Sequence, residues 1–133
     1  MSNLRNKIVT GNDKSLDLSK EFSGFSLNDL DEKFVIFPGF IDVHVHFREP
    51  GFSYKETIKT GSLAAAHGGY VSVLTMPNLN PVPDSLVHLK EQLDIINKDS
   101  VINVIPYGAI TVGEKGEQLA NMDEMSPFIA AFS

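Results

Sequence analysis

The sequence predicts an α/β fold built on a parallel sheet. Three observations carry that prediction. Apolar, β-branched runs alternate with stretches of helical periodicity in the order β, α, β, α, β, α, β from residue 39 onward. The segments between them have ordinary connection lengths, and such alternation calls for parallel strands with helices packed outside. Finally, no G-x-G-x-x-G follows the first strand, which removes the common dinucleotide-binding version of the fold. Two architectures then fit: an open doubly wound sheet and a (β/α) barrel of roughly 250 residues, of which the regular part from residue 39 onward would supply less than half.

Residues 1–37 are polar and irregular, with only "KIV" and "KFVIF" reading as short strands, and form a lead-in. The first strand of the main body is "FIDVHVHF", followed by the turn "REPGF". Ser53 and Glu56 have the Ser-x-x-Glu spacing of a capping box and place a helix start at Ser53. Ile58 and the run 63–66 continue that helix, and Gly68-Gly69 stops it. His67 falls in the last turn, where the helix dipole favours an imidazole. "YVSVLTM" is the second strand and "PNLNPVP" its turn; Asp84 or Ser85 caps a second helix with Leu86, Leu89, Leu93 and Ile96 on one face. His88 lies beside that stripe and reads as a flanking residue. "VINVIPYGAI" is the third strand, a short helix is expected around 118–122, and "FIAAF" begins a fourth strand.

Composition excludes several classes. Hydrophobic residues make up 42% and charged residues 21% of the chain, as in a folded globular protein. A net charge of −6, with Lys55, Lys59 and Lys90 scattered, leaves no basic stripe for nucleic acid. No apolar run is long enough to span a bilayer, and the first fifteen residues lack the apolar core of a signal peptide, so a cytoplasmic location is expected. Without cysteine, any metal must rest on histidine and carboxylate.

The chemistry concentrates in "PGFIDVHVHFREPG". In an extended strand, Val43, Val45 and Phe47 would form an apolar row, and Asp42, His44, His46 and Arg48 a polar one. Two imidazoles at i and i+2 share a face and can share a metal ion; zinc accepts neutral imidazole and, in catalytic sites, keeps a position open for water. The plainer alternative is a partly exposed pair of edge-strand histidines. The end of a strand in a βα unit is where parallel α/β proteins build sites. Arg48 offers a planar fork suited to a carboxylate, or pairs as a turn residue with Glu49. Asn78 and Asn80 fall at the same rim, Asn78 as a binding amide and Asn80 as a turn former before proline.

"PGFIDVHVHFREPG", "KTGSLAAAHGGYVSVLTMPNLNPVPD" and "YGAIT" together resemble the N-terminal part of the dihydroorotases, in the amidohydrolase superfamily, over about residues 37–133. The resemblance implies the first three βα units and the start of the fourth strand of a metal-dependent (β/α)8 TIM-type barrel, with residues 1–37 as part of a small accessory β region. It implies Zn2+ on His44 and His46, with Arg48 and Asn78 holding the carboxylate of dihydroorotate or N-carbamoyl-aspartate and Asp42 supporting the ligand pair. The remaining ligands and a general-base aspartate would lie beyond Ser133, so the chain is expected to be an N-terminal fragment without activity of its own. Allantoinases and dihydropyrimidinases share the His-x-His strand but generally lack the arginine. A non-catalytic scaffold for aspartate carbamoyltransferase is the alternative from another class, and a homo-oligomer is compatible with either.

Overall fold

The computed structural model describes residues 38–133; the expected lead-in strands, at residues 7–9 and 33–37, lie outside them. Three strands form one parallel sheet in the order β1 (Phe40–Val45), β2 (Tyr70–Thr75), β3 (Asn103–Pro106). Helix α1 (Ile58–His67) joins β1 to β2, and α2 (Leu86–Asp99) joins β2 to β3. Short turns of 3-10 helix (Val112–Glu114, Ser126–Phe128) flank α3 (Met122–Met125). The three strands lie side by side in sequential order.

Val73 and Val104 are register partners on adjacent strands, and both are buried with Phe47, Ile58 and Ile96 in one cluster. Ile58 comes from α1 and Ile96 from α2, so both helices cover the same face of the sheet. A second cluster joins Leu89 of α2 to Ala120 and Met125, with Leu93, Ile129 and Phe132 against it. Of the expected stripe, Leu89 and Leu93 join the second cluster and Ile96 the first, while Leu86 belongs to neither. Gln92 is buried with it, donating from Nε2 to Thr75 Oγ1 at 3.1 Å.

The expected fourth strand begins as a single parallel bridge, Gly108 to Phe132. Gly108 N donates to Ala131 O at 3.1 Å and Ser133 N to Gly108 O at 2.9 Å. This pairing lies beside the end of β3 and continues the order of the sheet.

Several boundaries differ from the sequence reading. Helix α1 starts at Ile58, not Ser53: Thr57 is the N-cap, and Thr57 and Thr60 form the capping box. The Glu49 carboxylate also accepts from Ile58 N at 2.8 Å, so the first free donors are satisfied from behind rather than by Ser53. Gly68 and Gly69 end α1 as expected, Gly69 in the left-handed region at φ +84°. Ser85 is the cap of α2, one of the two expected. The expected third strand shortens to Asn103–Pro106, and the final helix begins at Met122 rather than near 118, because Leu119 is engaged in an antiparallel bridge with Thr111.

Candidate metal and anion site at the C-terminal rim of the sheet

The two rows expected along β1 do not persist. Asp42 pairs with Val73, but Val45 pairs with Thr75, so three residue steps on β1 match two on β2. This bulge inserts one residue at Val43–His44 and switches the alternation. Val45 and Phe47 reach the core as expected, whereas Val43 is 61% exposed. Asp42 lines the same helix-side cleft as Val45 and Phe47, a space of about 270 Å³ that also involves Glu56, Ala64 and Tyr70.

Beyond the bulge His44 and His46 turn toward each other. Their Nε2 atoms are 3.2 Å apart, and the rings meet edge to face with centroids 5.0 Å apart. His46 Nδ1 lies 2.9 Å from Asn78 Oδ1. An amide oxygen only accepts, so Nδ1 carries a proton in this contact, and a ring protonated on Nδ1 alone leaves a lone pair on Nε2. In that tautomer His44 Nε2–H would donate into the lone pair. A cation shared by the two imidazoles would replace this proton: two nitrogens at 2.0–2.1 Å in a tetrahedral site stand roughly 3.3–3.4 Å apart. The spacing and the tautomer of His46 both fit such an ion. Among the described residues, no group of three or more His, Asp or Glu side chains converges to complete a ligand set.

Asp42 Oδ1 accepts from the backbone N of His44 at 3.0 Å, so it acts on the main chain beside the pair. Asn78 is brought to His46 by its carbonyl oxygen, a contact the sequence reading did not foresee for it. Arg48 is half-buried, and Glu49, its alternative turn partner, is committed to the start of α1. Among the described residues its guanidinium makes no ion pair. The loops that carry Arg48 and Asn78 touch: Asn80 N donates to Pro50 O at 3.3 Å, as befits the turn role expected for Asn80.

Two contacts escaped the sequence reading. The Tyr107 hydroxyl donates to Val43 O at 3.1 Å, reaching from the end of β3 past β2 to the bulge. Asp84 accepts from His88 Nδ1 at 2.7 Å and from Gly113 N at 2.8 Å, and so ties the loop after β3 to the start of α2. Burial opposes ionisation of Asp84, but the Gly113 amide and His88 outweigh it and hold the carboxyl below its ordinary value. "YGAIT" and the acid four residues before a histidine were visible signals, but neither names its distant partner.

The parallel sheet thus carries an imidazole pair at its C-terminal rim, backed by an amide and followed by a half-buried arginine. The Dihydro-orotase-like family model matches residues 33–132, and the chain belongs to that family. It is 53% identical over 120 residues to a dihydroorotase of Fusobacterium nucleatum, covering 90% of this chain and 27% of that protein. To a dihydroorotase of Enterococcus faecalis it is 60% identical over 87 residues, 65% of this chain and 20% of the relative. The chain thus spans about a quarter of the length of these curated relatives. Among the described residues, no helix is long and apolar enough to cross a membrane.

Proposed function

We propose that this chain supplies the imidazole-pair end of a dihydroorotase active site, in a protein that opens the cyclic amide of dihydroorotate to N-carbamoyl-aspartate, and reverses that step, for pyrimidine synthesis. The observation that carries the reading is the convergence of His44 and His46, with Asn78 fixing the tautomer of His46. The sequential parallel strand order supports a (β/α)8 barrel as its setting.

His44 and His46 would hold a divalent cation through Nε2. Zinc bound there supplies Lewis-acid polarisation of an amide carbonyl and lowers the pKa of water. Asn78 keeps the His46 lone pair aimed at the ion. Arg48 binds the substrate carboxylate as a fork and orients the ring. The proton transferred in ring opening requires a base outside the described residues, and an acidic ligand must join the two imidazoles to balance the ion's charge.

Dihydroorotate carries a carboxylate that hydantoins and dihydropyrimidines lack, so Arg48 separates this reading from those relatives. In an active enzyme containing this chain, Arg48→Met should raise KM for dihydroorotate about ten- to a hundredfold, the range of one charged hydrogen bond, while leaving bound zinc unchanged. Unchanged KM would remove the substrate assignment. Stoichiometric zinc lost in His44→Ala and His46→Ala is expected; an enzyme without metal would favour the scaffold role.

A further inference from the structure

We infer that Tyr107 and Asp42 are positioning residues for His44, clamping from both ends the single peptide unit that leaves the sheet ladder. The ladder gives no β2 partner to Val43 or His44, because the bulge lies between Asp42 and Val45. The peptide between them nevertheless has both polar groups satisfied. Its carbonyl, Val43 O, accepts from the Tyr107 hydroxyl at 3.1 Å, and its amide, His44 N, donates to Asp42 Oδ1 at 3.0 Å.

A peptide unit without ladder bonds is free to rotate, and rotation of this one would swing the His44 Cα–Cβ bond with it. His44 Nε2 lies 3.2 Å from His46 Nε2 only because that rotation is stopped. The two imidazoles are thus held by different devices. His46 is oriented through its ring by Asn78; His44 is oriented through its backbone by a tyrosine from the end of another strand and by the aspartate two residues before it. Strand β1 lies at the end of the described sheet, so no further described strand braces the bulge. The consequence for ion binding rests on the His44–His46 reading above; the positioning of the imidazole does not.

The test uses a full-length protein containing this chain and three variants of it. Tyr107→Phe removes only the hydroxyl. Asp42→Ala removes the acceptor on the other side of the same peptide. Tyr54→Phe is the control, its side chain being 79% exposed. Amide exchange at His44 and the ring-to-ring nuclear Overhauser contact between His44 and His46 are followed by NMR, and zinc affinity by calorimetry. For Tyr107→Phe and Asp42→Ala the expected result is faster exchange at His44, a weaker ring contact and zinc binding about tenfold weaker, the cost typical of lost outer support to a ligand. Tyr54→Phe should match the unsubstituted chain.

If Tyr107→Phe leaves both the exchange and the ring contact unchanged, the clamp is wrong, whatever happens to zinc. If those two readouts shift while the unsubstituted full-length protein binds no zinc, the clamp stands and the cation-site reading falls.

Discussion

Gly51 shows how much of the rim depends on single residues. Its φ is +95°, and a Cβ there would collide with the backbone carbonyl of Asn80, so conformation and space both demand glycine. The close approach joins the loop after β1 to the loop after β2, the loops that carry Arg48 and Asn78. Gly51→Ala should therefore cost about 1–3 kcal/mol in urea unfolding. Gly116→Ala is the comparison: φ is +73° but nothing lies within 4 Å of the added carbon, so only the backbone strain of about 1–2 kcal/mol applies. Equal losses from the two substitutions would show that the approach of the two loops is not a constraint. The importance of glycine after proline in "REPGF" was legible as a turn, but the opposing carbonyl of Asn80 is 29 positions away and was not.

At the scale of elements, the start of α1 separates two readings of one segment. Ser53 and Glu56 have the spacing of a capping box, yet the bonds are made by Thr57 and Thr60, and Glu49 completes the end. Local spacing offers several candidate caps; the one used is decided by where the incoming loop leaves the first free amides. Thr57→Ala should lower stability by about 1 kcal/mol, whereas Ser53→Ala should stay within about 0.5 kcal/mol, measured as shifts in the urea midpoint. The reverse order would restore the earlier helix start. Strand β1 carries the same lesson. Alternation is a sound rule for an unbroken ladder, and it failed at one inserted residue, which no local pattern marked. Helix α2 adds Gln92, polar by type but buried because Thr75 meets its amide.

Across the molecule, loops that follow different strands are held together by few polar contacts, and Asp84 is prominent among them. It is 8% exposed and bonds both to His88 on α2 and to the amide of Gly113 beyond β3. Its folded pKa lies below the value of about 3.9 that it takes in the unfolded chain. The unfolded state therefore takes up its proton first as pH falls. The stabilisation from the carboxylate is complete above about pH 4 and is lost as pH drops through the folded value. The stability gap between the unsubstituted chain and Asp84→Asn should accordingly shrink as pH falls below about 4, read from urea midpoints at each pH. A gap that widens on acidification would reverse the assignment. The sheet itself is covered by helices on one face, through Val73 and Val104.

The sequence by itself determined the alternation of strands and helices, the apolar residues of the helix stripes, the glycine stop of α1 and the family of the chain, because each depends on residues close together along it. It also singled out His44, His46, Arg48 and Asn78 by type and place at strand ends. Tertiary structure alone decided which atoms of those residues meet. The bulge that sets His44 against His46, the Asn78 oxygen on His46 and the Tyr107 hydroxyl on Val43 join positions up to 64 apart in the chain. Such contacts depend on strand register and loop approach, which arise only when the elements pack.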